Sequence, residues 1–342
     1  LSAPVAESHL SASGPETGRI PSIDGLRSIG LILVFSFHAW EFAGRPALGP
    51  ISDVVEQNTR PDLFVVLTGF CLYLPFAIDR KRFRRFDIRS YLVRRLRRIV
   101  PPYYVALSLP ILIPLTLKFG HRIAGGEPAG NVWPSAGEVI SHLTFTHMFF
   151  PDYWISINGS LWTMALEMQL YLLFPLVLLL YSRHRLPTLV LLVLGSVVFR
   201  IAVAVMVETE FPDQFLWSAS APGRLMEFVA GIAAADLVMS YQRQLTTRRR
   251  STLIVAGLLC YLLATAAIFE NSSVPLRDLL LSVAFAALVV GVVGSRRGDA
   301  LLGNRFMSGL GYKSYSVFLV HQPATWYVAE FLRRCWMCPS AP

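Results

Sequence analysis

Long apolar stretches separated by short polar ones make up most of this chain. The first runs from Ile23 to Trp40 (IDGLRSIGLILVFSFHAW), and eight more follow at 62–78, 99–118, 160–181, 187–207, 223–241, 252–269, 275–294 and 310–331. Each approaches the ~20 residues that a helix needs to cross a bilayer. The pattern therefore predicts an all-α fold, a polytopic bundle of nine transmembrane helices.

A further apolar segment at 139–150 (VISHLTFTHMFF) is too short to cross, so we expect a re-entrant or interfacial helix there. If it does not cross, the acidic loop 208–221 lies on one side and the basic loops lie on the other: 79–98, 182–186, 242–251 and 295–305. Because Lys and Arg favour the cytoplasmic side, this predicts a cytoplasmic N-terminus. Arg333 and Arg334, at the outer end of the last span, leave a tenth span open.

The composition agrees with a membrane protein. Hydrophobic residues make up 54% of the 342 residues and charged residues only 15%, and the mean hydropathy is +0.51. Soluble domains usually carry about 25% charged residues. The net charge of +9 comes from Lys and Arg beside apolar stretches, which favours a lipid bilayer over nucleic acid as the partner.

The four cysteines predict neither a metal site nor a disulfide framework. Cys71 and Cys260 lie inside apolar stretches, whereas Cys335 and Cys338 form a single C-x-x-C motif. A zinc site of this kind needs a second pair of ligands at matching spacing, and the sequence has none.

We expect two regions in the chain. Residues 1–20 are rich in Ser, Ala, Pro and Gly and have no apolar core, which predicts a disordered cytoplasmic tail and not a signal peptide. Residues 21–335 then form one transmembrane domain. Within it, the Gly- and Pro-containing stretches 43–60 and 119–138 predict loops.

The densest charge lies between the second and third spans. Ten of the nineteen residues from Arg80 to Arg98 are Lys or Arg, which predicts a cytoplasmic loop. Pro101 and Pro102 follow at once, and we expect them in the first turn of the third span.

Several polar side chains interrupt the apolar stretches. His38 follows Arg27 by eleven residues, a separation that on a helix turns roughly 1100° and rises ~16 Å, so both lie on one face. With the predicted topology, Thr68 and Glu167 lie at a depth similar to that of His38, and His321 lies near the middle of the last span. Buried polar groups at one depth indicate a structural network, a proton or ion pathway, or a catalytic site.

Six sequence motifs, which follow one another along the chain, decide between these three interpretations. They are IDGLRSIGLILVFSFH, LFVVLTGF, RRLRRIVPPYY, NGSLWTMALEMQLYLLFP, GRLMEFVAGI and LGYKSYSVFLVHQP, and they cover residues 20–325. Together they resemble membrane acyltransferase family 3, the integral-membrane O-acyltransferases. The R-x10-H signature of the family matches Arg27 and His38, and its other motifs match the following residues: Arg95 and Arg98 for R-x-x-R, and Thr68-Gly69-Phe70 for [ST]GF. Glu167 matches the first acid of SVEEQFY, but Met168 replaces the second.

The resemblance implies transfer of an acyl group, usually acetyl, from cytoplasmic acyl-CoA as co-substrate to a hydroxyl of a sugar-containing acceptor. That acceptor is a cell-surface glycan, a glycolipid or a macrolide-type molecule, and the location is the bacterial cell membrane. His38 is then the general base or a transient acyl carrier, and Glu167 orients it. The acyl-CoA site is assigned to five residues, with the arginines on the phosphates and the other two along the thioester: Arg27, Arg95, Arg98, Thr68 and Gly69. Some relatives add a soluble esterase-like domain, which we do not expect because the sequence ends at Pro342.

Other interpretations stay open for each residue. The arginines also suit a purely topological role, and Glu167 suits an ion pair with Arg200 or Arg224. Thr68 suits a hydrogen bond within its own helix, Gly69 a packing notch, and His321 a structural role. A rival function is a proton-coupled secondary transporter that uses the His/Glu cluster, although neither inverted repeats nor matching broken helices are visible in the sequence. A catalytically inactive scaffold is disfavoured because the histidine and the arginines are present.

Overall fold

The structure is a computed structural model that describes residues 19–49, 51–52, 55, 62–123, 133–207, 213–265 and 274–336. Every regular element in these ranges is a helix, which confirms the all-α prediction. The predicted disordered tail lies outside the described residues except for Arg19 and Ile20, and so does Cys338 of the C-x-x-C motif.

Twelve α-helices occur in the described part of the chain, and two short 3-10 segments join them. The helices are α1 Pro21–Phe42, α2 Asp62–Ile78, α3 Ile88–Ile123, α4 Ala136–Leu143, α5 Trp162–Arg183, α6 Arg185–Met206, α7 Phe215–Ala219, α8 Ala221–Ser240, α9 Thr247–Ala264, α10 Val274–Val292, α11 Arg296–Leu302 and α12 Arg305–Trp336. The 3-10 segments are Arg80–Arg85 and His147–Phe149.

Helix length and apolarity identify four described helices able to cross a membrane: Pro21–Phe42, Trp162–Arg183, Arg185–Met206 and Pro275–Val292. Helix α2 is apolar but shorter. Helix α4 has only eight residues, about 12 Å, and does not reach across a bilayer, in line with the interfacial reading of 139–150. The nine-span topology stays a prediction.

Several expected loops are helical. Helix α3 begins at Ile88, so the second half of the basic block is helix and not loop, and Pro101 and Pro102 lie well inside the helix and not in its first turn. Arginine and leucine are good helix formers, which explains why high charge did not end the helix. The predicted loop 119–138 also begins inside α3, which continues to Ile123.

The remaining basic loops are shortened in the same way. Helix α9 begins at Thr247, so Arg248 to Arg250 lie in its first turns. Arg250 is buried and donates from Nη1 to the Val290 carbonyl at 3.0 Å and to the Val293 carbonyl. The loops predicted at 208–221 and 295–305 contain α7 and α11. A run of arginines therefore indicated the end of an apolar stretch without indicating the end of a helix.

The chain divides into two compact units. Unit 1 comprises Leu1–Val34, Pro50–Arg80 and Glu227–Tyr315, and unit 2 comprises Phe35–Gly49, Lys81–Met226 and Ser316–Pro342. Helices α1, α8 and α12 each contribute residues to both units.

In unit 1, α10 packs against α9 and α2, and α2 meets α8 backbone to backbone. A Cβ added to Gly69 would lie 2.0 Å from the Phe228 carbonyl oxygen, and one added to Gly231 would lie 1.9 Å from that of Val66. Small residues at a helix crossing allow this close approach. Gly69 therefore has a packing role, one of the two roles considered for it above, and its place in the acyl-CoA site stays a prediction.

In unit 2, α5 packs against α3, α6 and the segment His147–Phe149. The Tyr91 hydroxyl of α3 donates to the Tyr171 carbonyl of α5 at 3.2 Å, and the Tyr91 ring packs against Phe174. Further along α3, the Tyr103 hydroxyl donates to the His142 carbonyl at 2.9 Å, which fixes the end of α4. These contacts hold the start of α3 against α5 and a later turn of α3 against the end of α4.

Candidate active site

His38 lies one turn before the end of α1, in unit 2, with its side chain 15% exposed. Its Nδ1 is 3.3 Å from Glu41 Oε2. The other carboxylate oxygen of Glu41 accepts a hydrogen bond from Arg45 Nη2 at 3.1 Å. Because an ionised carboxylate only accepts, the neutral imidazole carries its proton on Nδ1, and Nε2 keeps the lone pair.

A second imidazole lies beside the first. His321 of α12 is 2% exposed, and its ring centroid is 5.1 Å from that of His38. Its Nδ1 is hydrogen-bonded to the Phe318 carbonyl one turn earlier. The sequence placed His321 near the middle of the last span but gave no reason for it to touch His38.

Glu167, the carboxylate predicted to orient His38, contacts Tyr171 in unit 2. Its Oε1 accepts a short hydrogen bond from the Tyr171 hydroxyl. The Arg95 guanidinium lies over the Tyr171 ring, 5.5 Å from its centroid, and 5.7 Å from that of Tyr91. The structure therefore links Glu167 to Arg95 through Tyr171, and the carboxylate it places at His38 is that of Glu41.

The two arginines of the R-x-x-R motif differ in environment. Arg95 is half-buried between tyrosine rings, while Arg98, one turn later on α3, is exposed. A guanidinium that stacks on aromatic rings keeps its N–H donors available in the plane of the group. Arg95 and Arg98 are thus suited to hold an anionic ligand along one face of α3.

The other three predicted site residues belong to unit 1. Arg27 forms an ion pair with Asp24, 3.0 Å from Nη1 to Oδ1, and its Nη2 lies 3.3 Å from Cys71 Sγ. Thr68 is half-buried on α2. Gly69 lies in the α2–α8 contact described above.

Arg200, one of the alternative partners named for Glu167, packs against the start of α8. Arg200 of α6 is 2% exposed and donates from Nε to the Gly223 carbonyl at 2.5 Å. The same carbonyl accepts from the Ser196 hydroxyl at 2.9 Å. These contacts fix the start of α8 against α6, so Arg200 serves packing in unit 2.

Glu41 is a candidate site residue that the sequence analysis missed. It lies one position past the end of the apolar stretch that was assigned to the first span, in the polar residues that follow. The available signal was its spacing, because residues three apart on a helix are neighbours and Glu41 follows His38 by three.

A second histidine pair lies outside the spans. His142 of α4 and His147 are fully buried, and their rings stack with centroids 4.0 Å apart and planes 7° apart. Burial lowers the pKa of His142 below its usual value. Burial, and then the nearby His142, lowers the pKa of His147 to about 3. Both rings are therefore neutral near pH 7, and this pair is suited to packing.

The arrangement at His38 has the parts that acyl transfer requires. A neutral imidazole with a free Nε2 is a base or a nucleophile, and the carboxylate on Nδ1 stabilises the positive charge that either role creates. No metal is needed for that chemistry.

Comparison with known proteins identifies the family. The family model described as an acyltransferase domain matches residues 20–337. The chain is 24% identical over 326 residues to peptidoglycan O-acetyltransferase OatA of Listeria monocytogenes, covering 89% of this chain and 49% of that protein. It is 26% identical over 328 residues to the putative peptidoglycan O-acetyltransferase YrhL of Bacillus subtilis, covering 89% and 48%.

A third relative is O-acetyltransferase OatA of Staphylococcus aureus, 26% identical over 171 residues, or 46% of this chain and 24% of that protein. The chain spans about half the length of the first two relatives. No solved structure matches it. The family match covers nearly the whole chain and agrees with the R-x10-H, R-x-x-R and [ST]GF motifs, so the chain belongs to membrane acyltransferase family 3.

Proposed function

We propose that this protein is an integral-membrane O-acyltransferase that moves an acetyl group from acetyl-CoA to a hydroxyl of a carbohydrate-containing acceptor. The observation that carries the proposal is His38, a half-buried imidazole in an apolar helix whose Nδ1 faces the Glu41 carboxylate. Family membership and relatives named as peptidoglycan O-acetyltransferases support the reaction class and a glycan acceptor.

His38 acts through Nε2. As a base it takes the proton of the acceptor hydroxyl, and as a nucleophile it carries the acyl group between donor and acceptor. In both cases the ring becomes positively charged, and Glu41 stabilises that charge across the 3.3 Å contact. Glu41 thus takes the role that the sequence gave to Glu167.

Arg95 and Arg98 hold the phosphates of acetyl-CoA in this proposal. They lie one turn apart on α3, and Arg98 is exposed to solvent. The same helix provides a matched control, because Arg94 and Arg97 have identical spacing and are both exposed. Arg95→Gln with Arg98→Gln should weaken acetyl-CoA binding, and binding to the native chain should weaken with added salt. Arg94→Gln with Arg97→Gln should change binding less. Equal effects of the two double substitutions would mean that Arg95 and Arg98 attract acetyl-CoA only through the general positive charge of the surface.

The proposal also includes nine spans with a cytoplasmic N-terminus. This topology places the loop before α8 outside the cell and the start of α9 in the cytoplasm. Cysteines introduced at Ser218 and Thr246, in a chain whose native cysteines are replaced, report it through an impermeant thiol reagent on intact cells. Labelling at position 218 alone is expected, and labelling at position 246 alone would reverse the topology.

The test of the reaction uses membrane vesicles made with and without the full chain. Vesicles are given acetyl-CoA labelled in the acetyl group, and the glycan and lipid fractions are analysed by mass spectrometry. Chain-dependent labelling of a carbohydrate hydroxyl is the expected result. Release of no CoA, together with a chain-dependent proton flux across the vesicle membrane, would instead favour the transporter reading.

A further inference from the structure

The site contains a basic nitrogen that the proposed function does not yet use. His321 Nε2 is buried and has no hydrogen-bond partner among the residues that the structure describes. A buried polar atom without a partner destabilises the fold, and such atoms need an explanation. This one lies on the ring next to His38.

The tautomer of His321 follows from its one hydrogen bond. A backbone carbonyl only accepts, so the Nδ1 that contacts the Phe318 carbonyl carries the proton of the neutral ring. Nε2 therefore has a free lone pair, as Nε2 of His38 does. Two basic nitrogens on adjacent rings are one more than a reaction with a single base requires.

The residues around His321 are held firmly. The Asn158 side-chain amide donates to the Leu319 carbonyl at 2.9 Å, which ties the turn before α5 to α12. Ile157, one residue earlier, has φ of 61°, a strained value for a β-branched residue. Gly159 lies so near the Gln322 amide that an added Cβ would be 2.8 Å from it. The helix turn that carries His321 is thus held in place, and the ring itself is fixed by its hydrogen bond to the Phe318 carbonyl, as a reacting group must be.

Building on the proposed function, we propose that His38 carries the acyl group and that His321 is the base that takes the proton of the acceptor hydroxyl. While His38 Nε2 is bonded to the acyl carbon, it has no lone pair to accept a proton. The ring centroids of His38 and His321 are 5.1 Å apart. At this separation the acyl carbon can be bonded to His38 while the attacking oxygen contacts His321.

The acyl group moves in two steps, first to His38 and then to the acceptor. His38 Nε2 attacks the thioester carbonyl, the C–N bond forms, the C–S bond breaks and CoA leaves as the thiolate, while Glu41 stabilises the charged acyl-imidazole. The acceptor oxygen then attacks the same carbon, the C–O bond forms and the C–N bond breaks. The electron pair returns to His38, the hydroxyl proton moves to His321 Nε2, and the thiolate or solvent removes it.

The test separates the two steps in the purified full chain. Acetyl-CoA is mixed with chitotetraose, a soluble oligomer of N-acetylglucosamine, and CoA release is followed by rapid quench. In His321→Gln we expect a burst of about one CoA per chain, with acetylated His38 detectable by peptide mass spectrometry, followed by turnover at least 10²-fold slower than native. His38→Ala should give no burst.

Thr325→Val is the matched control, because its hydroxyl donates to the His321 carbonyl and touches the same helix turn without reaching the ring nitrogens. It should keep both phases. Native turnover in folded His321→Gln, or loss of the burst together with turnover, would overturn the assignment, and His321→Asn repeats the test if the first variant does not fold. If the native chain itself releases no CoA, the proposed function fails, and this assignment fails with it.

Discussion

Unit 2 contains two pairs of adjacent histidine rings that differ in geometry, in burial and in contact with a carboxylate. His142 and His147 are parallel, 4.0 Å apart and fully buried, with no carboxylate in contact with either ring in the described contacts. His38 and His321 are tilted by 48° at 5.1 Å, and His38 contacts Glu41. Burial outweighs the charge of Glu138 near His142 and favours neutral rings in that pair, whereas a carboxylate in direct contact allows a ring to become positive during a reaction. A pair of histidines thus indicates chemistry only when its surroundings can stabilise a cation.

The largest effect expected from this comparison concerns one ring of each pair, His38 and His147. His38→Ala should lower acetyl transfer about 10³-fold or more, because the reacting nitrogen is lost. His147→Phe should keep activity within a few-fold, because it replaces one buried ring with another. Transfer rates from acetyl-CoA, normalised to folded protein measured by size-exclusion chromatography in detergent, check both. High activity in His38→Ala, or an inactive but folded His147→Phe, would erase the distinction between the pairs.

The carboxylate should give the next largest effect. Glu41→Gln removes the negative charge and keeps the shape, and we expect a loss on the order of 10²-fold in kcat. A fully buried triad carboxylate is worth more, but the Glu41 side chain is 31% exposed and water replaces part of its effect. Steady-state kinetics check the value and whether KM stays nearly constant.

Glu138→Gln is the control for that substitution. Glu138 accepts a hydrogen bond from the Ser135 backbone at the start of α4, a role that Gln also fills in a capping box. Its activity should stay at the native level. An equal loss in both variants would mean that Glu41 serves the fold and not the imidazole.

The smallest effect concerns acid stability. The pKa of His147 is about 3 in the folded protein and near 6.5 when unfolded, so below pH 6.5 the unfolded chain binds more protons at this site. Stability from this group is therefore complete above pH 6.5 and falls as the pH drops towards 3, by at most roughly 1.4 kcal/mol per pH unit.

Thermal unfolding of the detergent-solubilised chain between pH 7 and pH 4.5 measures this loss. His147→Phe cannot take up the proton and should show a shallower fall, while replacement of the exposed His184 by Asn should leave the slope as in the native chain. Identical slopes in all three proteins would show that the buried pair does not determine acid sensitivity.

Apolar periodicity predicted the helices well because a bilayer-length apolar stretch has few alternatives to a helix. Their ends were predicted less well, since Arg94 to Arg98 look like a loop by charge and like a helix by intrinsic propensity. His38 could be found because a polar ring in an apolar stretch is conspicuous. Its contact with His321 could not, because it depends on how α12 packs in unit 2, which no local pattern records.

The link between Arg95 and Glu167 shows the same limit. It depends on Tyr171, which the sequence does not distinguish from the other apolar residues of α5. It also depends on the packing of α3 against α5. The sequence motifs identified Arg95 and Glu167, but only the packing of the helices identified Tyr171 as the side chain that lies between them.

The glycine contact between α2 and α8 has a consequence for mutational scanning. At Gly69 and Gly231 even alanine would place its Cβ 2.0 and 1.9 Å from a carbonyl oxygen. Two atoms that are not bonded to each other cannot approach so closely. Both positions should therefore reject all nineteen other amino acids, as reacting groups do. A tolerance map of this chain would rank Gly69 beside His38, although one position is intolerant for lack of space and the other for loss of chemistry. Protein abundance measured in the same cells separates the two, because crowding at Gly69 removes the folded protein and loss of the imidazole leaves it in place.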